Sequence, residues 1–340
     1  MKDWKKAGLT ALAGSLVATS AIAGAVTVSG TANLTYTANS GAQDNAGNAA
    51  GDAETGNDGN RWGINKSLAF SGSGELDNGW TVSVSQTLKA GSTNGVGMTL
   101  DMGDLGSIDY QADTSARGIG KIKDMIPTAD EDVGNGLDVN GSSTGGGLSG
   151  TVGGGTKGFH YSNTISDMVE IGVGYAPKGG KGNAQGGTSG AGAVEPFTSA
   201  FVKLDPIDGL EVGIGVGEGP AGNADAQQTD DYMTVYGTYV YGPLTFGLQL
   251  SDVDTPGATA DDEQTRWGIL YAVNDEISLS YQDHENDDST NSVDEDAKGY
   301  SASYTSGGIT FKVHRNKGDN IGNTASNTSE HTEVGVTFAF

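Results

Sequence analysis

The last ten residues of the chain alternate strictly between apolar side chains and small or polar ones. Because successive side chains of a β-strand point to opposite faces, Val334, Val336, Phe338 and Phe340 would share one apolar face. Similar alternation recurs along most of the chain, and clusters of Gly, Asn, Asp and Pro separate the alternating segments. Taking each segment as a strand and each cluster as a turn or loop predicts about sixteen strands, from residues 26–38 to residues 331–340.

The predicted connections fall into two classes that alternate along the chain. Short turns such as Asp77-Asn78-Gly79 and Asn274-Asp275 join the strands at one end, and longer polar loops join them at the other. The longest connection runs from residue 114 to residue 157. Short turns at one end and long loops at the other are typical of transmembrane β-barrels. A soluble β-sandwich gives no reason for its connections to sort by length in this way.

The two faces of the predicted strands differ in chemistry. Residues 244, 246, 248 and 250 are apolar, whereas residues 245, 247, 249 and 251 are Thr, Gly, Gln and Ser. Elsewhere the polar face also carries charges at mid-strand, such as Asp109, Glu170 and Glu211. Charges of this kind suit a water-filled lumen, so the apolar face is predicted to meet lipid.

One charged residue lies on the apolar face of its predicted strand. Lys66 shares that face with Trp62, Ile64 and Leu68. A Lys that faces lipid near the bilayer midplane costs ~2 to 4 kcal/mol. Lys66 is therefore predicted to mark either a β-bulge or an interface between subunits.

The N-terminus has the pattern of a secretory signal peptide. Lys2, Lys5 and Lys6 precede an apolar run over residues 7–17, and Ala21-Ile22-Ala23 is a small-x-small cleavage site. The apolar run is shorter than the ~20 residues that a helix needs to cross a bilayer. We expect a signal peptide over residues 1–23, with cleavage after Ala25 as the alternative, and a barrel domain over residues 24–340.

Composition narrows the range of partners. The chain has 43 acidic and 18 basic residues, for a formal net charge of -25. Such a field repels nucleic acid and attracts cations. Cysteine is absent, which excludes a disulfide framework and thiol chemistry.

A short acidic segment in the longest connection carries a resemblance to a known family. Residues 121–134 follow the fifth predicted strand and contain most of that connection's acidic side chains. With the signal peptide and the terminal Phe340, this segment resembles the general porins of Gram-negative bacteria, particularly those of the alphaproteobacterial type. The resemblance implies an all-β fold, namely a 16-stranded antiparallel transmembrane β-barrel in the outer membrane, assembled as a homotrimer. It also implies that the third loop, residues 114–157, folds inward and narrows the lumen.

The resemblance further implies that acidic third-loop residues face a basic cluster on the barrel wall, producing a transverse field that orients polar solutes. The loop residues are then Asp124, Asp130, Glu131 and Asp132. The candidates for the basic wall are Arg61, Lys89, Arg266 and Lys312. Arginines are few in this chain, so the opposing cluster is expected to be weaker than in the family, and a solvated loop surface is the alternative interpretation of the acidic segment.

These features favour a passive channel for small hydrophilic solutes and ions, with a preference for cations, rather than an enzyme. The resemblance implies outer-membrane lipid and lipopolysaccharide as further partners. His160, His284, His314 and His331 are not spaced as close metal-ligand pairs. No cofactor is expected, apart from a structural Ca²⁺ at the acidic runs 261–263, 285–288 and 294–296, which we place in external loops and whose carboxylates are hard oxygen ligands.

Two other functions stay open at this point. A substrate-specific channel for phosphate would need basic residues in its constriction, and one for sugars would need aromatic residues along its lumen. The net charge disfavours the first, and the aromatic residues fall mostly on the predicted outer face. A secreted acidic adhesin would need calcium-binding Gly-Gly-x-Gly-x-Asp repeats, which do not occur in series.

Overall fold

The computed structural model describes residues 26–41, 61–89, 92–111, 117–137, 158–177, 196–220, 229–254, 262–288 and 293–340. The predicted signal peptide lies outside them. No helix in this part of the chain is long and apolar enough to cross a membrane. The described residues form sixteen strands: β1 (Thr27–Gly41), β2 (Trp62–Glu75), β3 (Thr81–Lys89), β4 (Ser92–Asp101), β5 (Ser107–Gln111), β6 (Gly158–Ser166), β7 (Val169–Ala176), β8 (Phe197–Ile207), β9 (Leu210–Pro220), β10 (Thr229–Tyr241), β11 (Leu244–Asp254), β12 (Asp262–Ala272), β13 (Ile277–Asp288), β14 (Glu295–Ser306), β15 (Ile309–Asp319) and β16 (Thr328–Ala339).

The strands form one closed antiparallel barrel, in which each strand pairs with its neighbours in sequence and β1 pairs with β16. The terminal residue completes this seam, because the Gly30 N–H donates to the Phe340 carbonyl at 2.8 Å and the Phe340 N–H donates to the Gly30 carbonyl at 3.0 Å. The Phe340 ring lies over Gly30, and a Cβ there would come within 2.5 Å of the ring. Closure leaves no unpaired strand edge, as a membrane-spanning sheet requires.

Exposure alternates along the strands with the apolar side chains outward. In β11, Leu248 and Leu250 are 48% and 49% exposed, whereas Gln249 and Ser251 are buried. The same holds across the barrel, where large apolar residues of every strand are exposed. The predicted orientation is thereby confirmed, and the outer surface forms an apolar band of the kind that faces lipid.

The alternation of short and long connections has one exception. Residues 90 and 91 alone join β3 to β4, at the end of the barrel where the other strands are joined by long loops. We call this end the long-loop end. The pairing of β3 with β4 shifts by one residue between Ser85 and Thr87, which is a β-bulge a few residues before the end of β3.

The placement of three acidic runs in external loops was largely wrong. Residues 285–288 belong to β13, and Glu295 and Asp296 begin β14. Asp262 and Glu263 likewise begin β12. The strands extend past the apolar band because their ladder consists of backbone hydrogen bonds, which need no apolar side chains once the strand has left the lipid.

Lys66 is exposed on the outer face of β2. The predicted bulge is not found there, because β1 and β2 pair in unbroken register from Thr27 opposite Ser71 to Tyr36 opposite Trp62. The neighbouring outward residue Ile64 is 73% exposed. Lys66 is therefore a cation in the middle of an otherwise apolar outer face.

The orientation of the strands predicts unequal effects of the same substitution on the two faces of β11. Leu248→Arg places a charge near the middle of the apolar band and should lower the free energy of unfolding by ~2 to 4 kcal/mol. Thr245→Arg, on the inner face of the same strand, should change it by less than about 1 kcal/mol. Urea unfolding of both variants in lipid vesicles measures the difference, and equal losses would contradict the assigned faces.

Candidate functional site: a loop inside the barrel

Residues 117–137, which follow β5, form a segment inside the barrel that we call the inner loop. Its apolar side chains are buried against the barrel wall: Ile119 and Ile122 are 0% exposed, Val133 and Leu137 2%, and Ile126 7%. Ile119 and Ile122 pack with Phe197, Phe201 and other aromatic residues of the wall, which the lipid-facing pattern alone does not reveal. The inner loop is thus attached by hydrophobic burial to a surface that would otherwise be wet.

Glycines at lumen-facing positions allow the inner loop to approach the wall closely. A Cβ at Gly215 would lie 2.8 Å from Ile119 Cγ1 and 2.9 Å from Ile122 Cδ1, and a Cβ at Gly268 would lie 2.7 Å from Ile126 Cγ2. Other lumen-facing glycines that leave room for the loop are Gly174, Gly247, Gly299 and Gly318. Their missing side chains form a track on which the inner loop sits, and we call this set the glycine track.

Side-chain amides on three wall strands bind the backbone of the inner loop. Gln249 on β11 accepts the Met125 N–H at 2.9 Å and donates to the Ile122 carbonyl at 2.9 Å. Gln282 on β13 accepts the Val133 N–H at 2.8 Å. These bonds give partners to backbone groups that are shielded from water. A buried backbone group without a partner costs free energy of folding.

Asn316 on β15 completes this set of amide contacts, because its Nδ2 donates to the carbonyls of Asp132 at 3.0 Å and Asn135 at 2.9 Å. Sequence reasoning missed all three amide residues. The available signal was their position at mid-strand on the lumen face, where the amide of Asn or Gln can both donate and accept a hydrogen bond.

Asp130 connects the inner loop to β15 through charge. One carboxylate oxygen lies 2.7 Å from Lys312 Nζ, and the other lies 2.9 Å from His314 Nδ1. Burial tends to raise the pKa of Asp130, but the contacts with His314 and Lys312 outweigh it and lower the pKa below its ordinary value. Asp130 therefore stays ionised and holds the loop to the wall.

Asp124 is in a different environment. Its Oδ1 lies 3.9 Å from Arg266 Nη1 on β12, and the Arg266 side chain is only 3% exposed. Burial, followed by the charge and hydrogen bond of the neighbouring Asp132 carboxyl, raises the pKa of Asp124 to about 7, although Arg266 and Lys123 act in the opposite direction. Asp124 therefore changes its charge near neutral pH.

The eight residues predicted for the constriction divide into two groups. Arg266 and Lys312 contact acidic residues of the inner loop directly, rather than across the lumen. Arg61 precedes β2 and Lys89 ends β3; both are exposed, and within the described part of the chain neither forms an ion pair with the loop. On the loop itself, Glu131 is exposed and Asp132 is half-buried.

The inner face of β1 and β2 is lined by hydroxyl and amide groups. Thr27 Oγ1 and Ser71 Oγ lie 2.6 Å apart, and Thr31 Oγ1 and Ser67 Oγ lie 2.8 Å apart. The contacts of the inner loop described above go to strands between β6 and β16. The part of the lumen left open by the loop is therefore bordered by this hydroxyl wall.

Other charges also lie inside the described barrel, including Lys121 and Lys123 on the inner loop itself. Lys203 on β8 lies 3.4 Å from Glu170 on β7 and is neutralised by it. Among the described residues, no group of three or more His, Asp or Glu side chains is arranged to hold a metal ion. The site therefore consists of a loop with an acidic excess, the bases that tether it, and hydroxyl groups along β1 and β2.

A family model described as "Gram-negative porin" matches residues 8–275. Among solved structures, an anion-selective porin from Comamonas acidovorans is 15% identical, with a TM-score of 0.63 over 93% of this chain and 99% of that one. A mutant of the Rh. blastica porin is 16% identical, with a TM-score of 0.58 over 93% and 100%. A trimer form of OmpT from Vibrio cholerae is 13% identical, with a TM-score of 0.60 over 94% and 100%. No curated protein matches in sequence.

The raised pKa of Asp124 predicts that ion selectivity depends on pH. Above about pH 7 this carboxyl is charged and attracts cations; below it the carboxyl is neutral, so the cation-to-anion permeability ratio should fall by about twofold between about pH 8 and about pH 6. Reversal potentials in a salt gradient measure the ratio. Asp124→Asn should flatten the profile, and a variant that keeps the slope of the unsubstituted protein would show that other groups produce it.

Proposed function

Given that the chain belongs to the Gram-negative porin family, we propose that its channel carries small hydrophilic solutes and ions by passive diffusion and prefers cations. The protein is an outer-membrane porin and not an enzyme. The preference is supported above all by one observation: the two barrel-wall bases that contact the inner loop, Arg266 and Lys312, are paired with its acids. Glu131 and Asp132 are then left to set the charge that a passing ion meets.

This assignment differs from that of the anion-selective Comamonas acidovorans relative. A shared barrel does not fix ion selectivity, because selectivity depends on the few charges that line the narrowest part. In this chain those charges come from the acidic inner loop, with a hydroxyl wall opposite. The phosphate-specific alternative is disfavoured because the wall bases that contact the inner loop, Arg266 and Lys312, are paired with its acids.

Planar-bilayer recording tests the proposal. The unsubstituted channel should give a reversal potential of the sign expected for cations, and Glu131→Gln with Asp132→Asn should reduce the cation-to-anion permeability ratio by about twofold or more. Glu263→Gln, which removes an exposed carboxylate from the outer face of β12, is the matched control and should leave the ratio unchanged. Anion preference in the unsubstituted channel would refute the proposal.

Three further proposals complete the picture of the mature protein. Residues 1–23 act as a signal peptide that directs export. Lipids and lipopolysaccharide of the outer membrane surround the apolar band, where Trp267 and Tyr281, with ring centroids 5.3 Å apart, have the amphipathic character of interface residues. The assembled channel is a homotrimer, as the trimer form of the Vibrio cholerae relative suggests.

Lys66 supports an interface on the outer face of β1 and β2. Next to lipid its charge would be costly, whereas a neighbouring copy can cover it with polar groups or water. The neighbouring outward positions are apolar or small: Ile64, Leu68 and, opposite Lys66 on β1, Ala32. This face is therefore the one we assign to contacts between subunits.

Because the chain contains no cysteine, a single introduced cysteine tests this interface directly. Lys66→Cys should give covalently linked copies with a short bifunctional maleimide, and native mass measurement should give three copies per particle. Leu248→Cys, on the outer face of β11, is the control and should remain unlinked. Efficient linking through position 248 but not through position 66 would place the interface elsewhere.

A further inference from the structure

Strand pairing brings the three acidic runs of the sequence together, and a group of buried polar side chains lies within and beside them at the long-loop end. Gln264 on β12 lies opposite Asn286 on β13, and Asn286 lies opposite Glu295 on β14. The three residues are 3%, 0% and 0% exposed. We call them the buried rung. The neighbours Glu285 and Asp287 are exposed, because they alternate to the outer face of β13.

Asn286 is the residue that requires an explanation. It is fully buried, yet among the described residues neither its side-chain oxygen nor its side-chain nitrogen has a hydrogen-bond partner. A buried polar group left in this state costs ~1 to 3 kcal/mol, and buried groups of this kind usually bind an ion or water.

A short turn covers the buried rung. The connection between β15 and β16 contains a 3-10 turn over Ile321–Asn323, and Asn320, Asn323 and Ser326 have φ values of 55°, 51° and 66°. Left-handed backbone at non-glycine residues is strained and persists only where other contacts hold it.

Amide contacts hold this covering turn in place. Asn323 Nδ2 donates to the carbonyl of Asn286 at 3.2 Å and to that of Val293 at 3.4 Å. Asn320 Nδ2 donates to the carbonyl of Asp294 at 3.1 Å. A strained turn has thus been fixed directly above an unsatisfied buried side chain.

We propose that the buried rung binds a divalent cation of the hard, oxygen-preferring class, with Ca²⁺ as the best match. The Asn286 amide oxygen and the Glu295 carboxylate supply ligands on adjacent strands. Gln264 Oε1 is 3.2 Å from His284 Nε2 and keeps a second lone pair for the ion. Backbone carbonyls and water complete the six to eight oxygens that Ca²⁺ takes.

The charges near the buried rung are compatible with a bound divalent cation. Arg266, two residues along β12 from Gln264, lies 3.9 Å from Asp124, which partly balances its charge. A single carboxylate places the affinity at the weak end of the Ca²⁺ range, with a Kd of about 10⁻⁴ to 10⁻³ M, as in extracellular modules. The ion would connect β12, β13 and β14 beneath the covering turn, and would therefore stabilise the barrel without entering the path of solutes.

Calcium titration of the full chain in detergent micelles, after removal of metals with a chelator, tests this site. Heat release should reveal one saturable site per chain, and saturation should raise the Tm. Asn286→Leu and Glu295→Gln should each weaken binding by about tenfold or more. Glu285→Gln and Asp287→Asn, which alter the outer face of the same strand, are matched controls and should leave the affinity unchanged.

A variant expected to bind calcium more tightly distinguishes an effect on the site from a loss of folding. Asn286→Asp adds a second carboxylate and should tighten calcium binding by about tenfold. Absence of saturable binding in the unsubstituted protein would overturn the proposal and indicate buried water instead. Loss of binding in the outer-face controls, or an unchanged affinity in Asn286→Leu, would place the ion elsewhere and refute it equally.

Discussion

Every feature of this barrel depends on the requirement that backbone N–H and C=O groups have partners where no water can reach them. Antiparallel pairing satisfies the interior strands, and the pairing of β1 with β16 satisfies the two that would otherwise be edges. Closure fixes which face of each strand meets lipid, and the two-residue period then assigns every side chain to the outside or the lumen. The terminal Phe340 takes part in this closure through its main chain, while its ring fills the space above Gly30.

The inner loop meets the same requirement in a different way. It has no strand neighbour, so its backbone groups are bound by the amides of Gln249, Gln282 and Asn316, and its apolar side chains occupy space that the wall glycines leave. The same segment is thus held both by hydrogen bonds, which depend on direction, and by apolar packing, which does not. Asp130 adds an ionic contact, so hydrogen bonds, apolar packing and charge together hold the loop to the wall.

The barrel could be predicted from the sequence because alternation is a local property, as in β11, where Leu248 and Gln249 already have opposite character. The inner loop was predictable only in outline. Its attachment depends on residues far apart in sequence, and Ile119 or Ile122 in a loop gives no indication of its partners on β8 and β10. The upper limits of β13 and β14 were missed because charged side chains do not disturb a ladder made by the main chain. Arg61 and Lys89 share the charge of Arg266 and Lys312, and charge alone could not show which of the four the loop would reach.

Because of the glycine track, residues of the barrel wall rather than of the inner loop determine the width of the open lumen. A methyl group added at one of these positions, Gly247 for example, would meet Pro127 and push the loop toward the hydroxyl wall. Six such positions are spread over strands from β7 to β15. Replacing any one of them by alanine would narrow the lumen at a different position, by the width of one methyl group. The calibre of this channel is therefore open to gradual evolutionary adjustment through single replacements of glycine by alanine, with the charged residues and their contacts retained.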